Sequence, residues 1–411
     1  MYPVLKSMRV VEGASFIAGP ICCQHLLQLG AEVIRFDMIG GGPDFKRWPL
    51  APSGLSLYWE GLNKGKKSVA IDLSCREGRD LAVRIATASG EEAGLFVTNY
   101  PARGFLAHDR LAAHRPDMIT VRIMGWADGR SGVDYTVNAV TGLPLMTGPD
   151  DLPEDRPVNH VLPAWDLIAG SYAAFALMAA ERRRRLTGQG DEVRVPLSDI
   201  AATSLGHMGQ IAEVCVSGRD RPRMGNDLYG ALGRDYETAD GKRLIVAAIT
   251  GKQWRTLLQA LEIKESVAAI EEELGVSFDN EGARFEHRAR LFSVVQDRVS
   301  RFTLSDLAVR LDSAGCCWNA YQRLSESIVG EPGFVQGNPV FAEKRHAAGY
   351  TYPTPGSAAA FTGLGRLEPS MAPRLGEHTD EVLAEVLGLT SPEIGLLHDR
   401  RVVAGLDACK L

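Results

Sequence analysis

An alternation in the first 200 residues constrains the fold most. Short runs rich in Val and Ile recur, and each is followed by a stretch of helical periodicity. The pattern predicts strands over 8–12, 31–37, 68–73, 93–98 and 118–123. It predicts helices over 19–29, 76–88 and 106–113, with Gly19-Pro20 opening the first and Gly30 stopping it. Strands separated by helices need crossover connections, and crossovers give a parallel sheet with helices on its faces.

A helix over 167–185 follows, apolar nearly all round and therefore expected to be buried. It emerges as Arg182-Arg183-Arg184-Arg185 and ends at Thr187-Gly188-Gln189-Gly190. The arginines read either as a phosphate patch or as a solvated helix end beside the negative pole of the dipole. A strand at 193–195 and a helix over 199–216 complete this part. Gly, Arg and Pro then mark a boundary at 218–233. A hairpin over 236–247, turning at Asp240-Gly241, opens a run of helices. Residues 1–217 are expected to form a large domain and 218–330 a linker and smaller α/β domain. Residues 331–411 are expected to return to the large domain, through a loop over 330–355 and a helix over 377–389.

Of 411 residues, 45% are apolar and 23% charged, enough to bury a core without staples. The formal charge of −6 argues against sequence-independent nucleic-acid binding, which runs on clustered Lys and Arg. Seven cysteines, two pairs of them adjacent and none in a C-x-x-C, make neither a disulfide framework nor a zinc ribbon. The histidines show no metal-ligand spacing, so no metal is expected. The N-terminus reads as no signal peptide, and the longest apolar run is short of the roughly 20 residues a bilayer needs. A cytoplasmic protein without nucleic-acid or membrane partners is expected.

Several residues suggest chemistry. Asp166 stands where the buried helix begins. It reads as a helix N-cap or, held ionised at the positive end of the helix, as a carboxylate nucleophile. Asn63-Lys64-Gly65-Lys66-Lys67 reads as an exposed basic turn or a phosphate site, but there is no P-loop. Gly40-Gly41-Gly42 lacks the dinucleotide spacing. Arg103 follows the fourth strand, at the sheet edge where ligands bind, and reads as a pyrophosphate contact or a loop ion pair. His160 and His207 read as structural histidines or as a base.

These segments, in order, resemble class III CoA-transferases. The resemblance rests on Met8-Arg9-Val10-Val11-Glu12 with Ala18-Gly19-Pro20, on residues 29–35, on Asn63 to Leu73, on Val97-Thr98-Asn99-Tyr100, and on 134–149. Asp166 with its Ala-rich helix, the Thr187 to Gly190 turn, and Ala372-Pro373-Arg374-Leu375-Gly376-Glu377-His378-Thr379 complete it. The resemblance implies a Rossmann-like large domain built from both chain ends, an inserted smaller α/β domain and an interlocked homodimer. It implies Asp166 as the catalytic nucleophile and an acyl-CoA substrate, with no cofactor beyond the CoA itself. CoA contacts are implied at Ala18, Ile71, Asp72, Leu73, Ser74, Asn99, Tyr100, Pro101, Arg103, Val133, Asp134, Tyr135 and Thr136. Ile17, Met38 and Val133 depart from members that use formate or oxalate, and 249–253 is the nearest counterpart of their glycine-rich lid. The wording of residues 40–49, 158–166 and 221–230 is similar to a branch that shifts CoA between the two carboxyls of one unsaturated C5 diacid. Arg47, His160 and Arg234 are candidates to hold the idle carboxylate, and the helix residues after Asp166 are candidate oxyanion donors. Transfer to a separate acid, racemisation using His160 with Asp166, and CoA binding without chemistry are the alternatives.

Overall fold

The computed structural model describes residues 1–406, so Cys409 lies outside the described residues. Six strands run parallel: β1 (Arg9–Gly13), β2 (Glu32–Met38), β3 (Lys67–Ile71), β4 (Leu95–Thr98), β5 (Ile119–Met124) and β6 (Asp191–Pro196). The short strand Val403–Ala404 joins antiparallel to β3, so the sheet reads Val403–Ala404, β3, β2, β1, β4, β5, β6. The chain winds outward from β1 through β2 to β3, then returns to the other side of β1 for β4. That reversal makes the carboxyl ends of β1 and β4 a topological switch point, where open α/β sheets form a crevice.

The sheet interior is Val, Ile, Leu and Phe, including Val11, Ile34, Val69, Ile71 and Phe96. Strands covered on both faces carry such continuous apolar runs, which is why they were legible. The first helix, Ala18–Gln28, follows β1 and packs on the long helix, Ala164–Thr187. Their approach depends on Gly170, where an added Cβ would lie 2.7 Å from the Ala18 carbonyl oxygen.

The structure corrects several expectations. The long helix buries one face only; Ile168, Tyr172 and Phe175 are exposed, Phe175 by 67%. The helix expected over 199–216 is two, Leu197–His207 and Gln210–Ser217, separated at Gly209, whose φ of 73° no helix interior accommodates. Within the arginine run, Arg184 is neither a phosphate site nor a solvated end. It is buried, donates to the Ala93 carbonyl at 2.7 Å and pairs with Asp117 and Glu181. The expected loop over 330–355 contains a hairpin, Phe341–Arg345 with Thr351–Pro355. The C-terminal helix is shorter, Thr379–Glu385, and a further helix, Ser391–Asp399, precedes the last strand.

The chain forms two compact units. The first comprises Met1–Thr141, His160–Glu213 and the chain from Pro332; the second comprises Gly142–Asn159 and Val214–Glu331. Segment 142–159, expected in the large domain, packs in the second unit, because Arg223 donates to the carbonyls of Thr147 (2.9 Å) and Leu152 (3.3 Å). The second unit has an antiparallel sheet of Leu232–Glu237, Arg243–Ala248 and Cys317–Ala320, with helices packed around Trp254, Leu257, Leu291 and Leu307. Residues 249–253 are the capped start of helix Gly251–Leu261: Thr250 Oγ1 accepts from Gln253 N and Gln253 Oε1 accepts from Thr250 N.

Candidate active site

A cavity of about 600 Å³ opens at the switch point of the first unit. Its walls are the Ser15–Ala18 loop after β1, Asn99 after β4, Met124-Gly125 after β5, and Gly132 to Tyr135. Asp166, Arg47, Trp48 and Tyr58 complete the lining.

The β1 loop is held from both sides. Asn99 Nδ2 donates to the Ser15 carbonyl (2.9 Å), while Ser15 N donates to Asn99 Oδ1 (3.2 Å). Phe16 N donates to Asp44 Oδ2 at 3.1 Å. Between these anchors Phe16 takes a φ of 70°, rare for a bulky residue and tolerated where the surroundings over-determine it. Asp44 belongs to a buried ion cluster. Arg35 donates to Asp37 (2.8 Å), Glu12 (3.1 Å), Asp44 (3.0 Å) and Asn63 (3.2 Å) and lies over the Trp59 ring. Lys66 pairs with Glu12 at 2.7 Å.

The lysine turn is therefore neither exposed nor a phosphate site. Lys64 and Lys66 are buried, and Lys67 pairs with Glu32 and Glu381. Burial pushes the Lys64 ammonium down to about 8.

Asp166 is not the N-cap. The helix begins at Ala164, and Pro163 in the cap position offers no side-chain acceptor. Asp134 does that work from 32 residues upstream: its Oδ2 accepts from Trp165 N (2.7 Å) and Asp166 N (3.1 Å), and its Oδ1 accepts from His160 Nε2 (2.8 Å). Asn138 Oδ1 accepts the Trp165 indole N–H at 3.0 Å. Asp166, in the first turn, turns to the cavity. Burial pushes its carboxyl up to about 6, the charge of Asp134 adds to that, and Arg47 opposes it. A carboxyl near 6 still carries its charge at neutral pH, and burial makes it more basic than an exposed helix-end acid. Arg47 sits between the Phe16 and Tyr58 rings, 5.6 and 5.4 Å from their centroids. The Tyr58 hydroxyl is buried against it without an aligned hydrogen bond, and burial pushes that group up to about 12.

The other expected site residues divide. Ala18, Asn99, Val133, Asp134 and Tyr135 line the cavity with Asp166 and Arg47. Asp134 is buried, and both its oxygens are engaged in holding the helix entrance. Thr136 turns back to bond Val133. Ile71, at the end of β3, and Leu73 just beyond it are buried in the core cluster. Asp72 and Ser74 bond each other at the carboxyl end of β3, on the sheet edge that carries the cavity. Tyr100 is half-buried against the core, while Pro101 and Arg103 are exposed; Arg103 has no ion pair among the described residues. Buried Arg122 holds their loop by donating to the carbonyls of Tyr100 (2.6 Å), Pro101 and Leu106. His160 does not line the cavity, His207 is exposed, and Arg234 lies in the second unit, paired with Asp227. Of the oxyanion donors expected after Asp166, Leu167 N bonds the Pro163 carbonyl, while the Trp165 and Asp166 amides bond Asp134.

Tyr58, Asp44, Arg35 and Arg122 were not singled out from sequence. Tyr58 lies five residues before the recognised lysine block, and only the fold brings it to the cavity. Among the described residues no helix is long and apolar enough to cross a membrane, and no cluster of potential metal ligands occurs.

A seven-stranded, mostly parallel sheet with a carboxylate at its switch-point cavity fits one family. The family model for CoA-transferase family III matches residues 5–379, and the chain belongs to that family. The chain is 48% identical over 408 residues, 99% of each chain, to 2-methylfumaryl-CoA isomerase of Chloroflexus aurantiacus. It is 28% identical to succinyl-CoA–D-citramalate CoA-transferase of the same organism, covering 97% of this chain and 98% of the other. A crystal structure of a CaiB/BaiF family protein from Brucella suis shares the fold, with a TM-score of 0.76 at 24% identity, covering 94% of this chain and 100% of that one.

Proposed function

We propose that this enzyme moves CoA between the C1 and C4 carboxyls of mesaconate, converting 2-methylfumaryl-CoA to 3-methylfumaryl-CoA, with Asp166 as covalent nucleophile. The observation that carries this reading is a carboxylate, pushed up to about 6, facing a cavity at the switch point of a family III CoA-transferase. The 48% identity to 2-methylfumaryl-CoA isomerase supports the choice of acid.

In the proposed sequence the Asp166 carboxylate attacks the C1 thioester carbonyl, the C–S bond breaks, and CoA leaves as thiolate. The thiolate attacks the aspartyl carbonyl of the mixed anhydride, giving aspartyl-CoA thioester and free mesaconate. The retained diacid attacks through its C4 carboxylate and expels the thiolate again. The thiolate then attacks the C4 acyl carbon and releases Asp166. Splitting the exchange into acyl transfers is the gain from covalent catalysis. The first N–H groups of a helix have no intrahelical acceptor, so those of Ile17 and Ala18 at the cavity are the proposed oxyanion donors. Arg47 and the Tyr58 hydroxyl are proposed to hold the idle carboxylate.

CoA is proposed to lie along the sheet edge past Ser74, Asn99 and Arg103. A second copy of the chain is proposed to cover exposed apolar residues of the first unit: Phe175, Met208 and Ile211, with Met208 73% exposed. Such a run in water marks an interface. The six described cysteines are all free, which supports a reducing, cytoplasmic setting.

Mass spectrometry of the protein incubated with mesaconyl-CoA should find a hydroxylamine-sensitive CoA adduct on the Asp166 peptide. Asp166→Ala should abolish exchange while retaining CoA binding; turnover near the parent rate removes Asp166 from the chemistry. Labelled free mesaconate should stay out of the product. Its rapid incorporation would favour an acid-to-acid transferase.

A further inference from the structure

The reacting carboxylate has a partner. Asp134 is 2% exposed, with one oxygen on His160 and the other on the amides of Trp165 and Asp166 itself. We infer that Asp134, anchored by His160, is a positioning residue: it fixes the first helical turn and sets a negative charge beside Asp166, making it a stronger nucleophile. The inference rests on Asp166 being the nucleophile.

The chemistry explains why such a charge helps. A carboxyl group has an ordinary pKa of about 4 and a thiol about 8.5, so a tetrahedral adduct between them expels the carboxylate far more readily than the thiolate. A more basic carboxylate narrows that gap. A neutral cap such as Ser or Asn would satisfy the same two amides, so capping alone does not call for a buried acid. The groups facing Asp166 are few. Asp134 stands on the short helix Asp134–Asn138, Arg47 on the loop after β2, and Tyr58 on helix Leu57–Leu62; Asp44 lies beyond Tyr58, and His160 lies behind Asp134. Arg47 is the one cation among them that fronts the cavity, and it is exposed to screening solvent. Burial and the Asp134 charge act in the same direction on Asp166.

Asp134→Asn tests this, because it keeps an acceptor oxygen for the two amides and removes the charge. Carboxyl-carbon NMR of the free enzyme with labelled aspartates should show Asp166 ionising at lower pH than in the parent. At pH 8 kcat should fall ~3–10-fold with KM unchanged, and the acid limb of the pH–kcat/KM profile should move down by the same interval. An Asp166 titration identical in the two proteins overturns the inference. If Asp134→Asn does not fold, His160→Gln and His160→Phe carry the test. The glutamine retains an N–H donor and should restore the parent profile that the phenylalanine loses; equal profiles for both overturn the anchoring role. The NMR readout needs no turnover. A missing CoA adduct on Asp166 would therefore refute the nucleophile while leaving the titration result standing.

Discussion

Two groups of buried acids near the cavity differ in the counter-charge they are given, although burial pushes the Asp37 carboxyl of the first group up as well. Around Arg35 three carboxylates, Glu12, Asp37 and Asp44, share Arg35 and Lys66, with Asn63 and the Trp59 ring completing the shell. At the helix entrance two carboxylates, Asp134 and Asp166, have one imidazole bonded to the deeper acid and an exposed Arg47 across the cavity. The first group holds a loop in place. The second leaves one carboxyl short of counter-charge and pushed up to about 6. A buried acid with incomplete compensation is a candidate for chemistry, whereas one enclosed by cations serves the structure.

The largest effect should come from emptying the compensated cluster. Arg35→Met strands Asp37 and Asp44, leaves Glu12 with Lys66 alone, and should cost ~3–5 kcal/mol, read as a lowered denaturant midpoint or as insoluble protein. Parent-like stability would mean the two groups do not differ as described. The opposite change is expected at the uncompensated site. Between about 4, its ordinary value, and about 6, native Asp166 binds more proton than the unfolded chain, so its contribution to stability falls as pH rises through that window. Asp166→Asn should therefore be more stable than the parent at pH 8, by up to ~3 kcal/mol, and lose the advantage near pH 4. A variant no more stable at pH 8 would put Asp166 with the compensated acids. The smallest effect should follow Asn99→Ala, which releases one of the two anchors of the Phe16 loop. A loss of ~1 kcal/mol in thermal unfolding, with KM raised and the Asp166 adduct retained, is the expected outcome. Unchanged KM would show that Asp44 alone holds the loop.

The parallel sheet was legible because its signal is repetitive: β-branched runs at crossover spacing admit few arrangements. Asp166 was legible as a helix entrance for the same local reason. Its cap was not, because Asp134 is 32 residues away and a cap supplied across that distance leaves no S/T/D-x-x-E pattern at the helix start. Ile71 and Leu73 fell in a recognised block, yet resemblance does not report which way a side chain points, and both are buried in the core. The lysine block looked basic and exposed; its counter-charges, Glu12, Glu32 and Glu381, come from other strands and from the C-terminal helix.

The sequence by itself determined the alternating α/β architecture, the family pattern and the place of one acid at a buried helix, since periodicity, turn residues and local order are properties of neighbours along the chain. Only the tertiary structure decided which acids are enclosed by cations and which is left short of counter-charge at the cavity. A carboxyl group's proton affinity depends on the solvent removed from it and the charges brought near, and Arg35, Asp134, His160 and Arg47 meet their partners only when β1, β2 and the long helix are packed together.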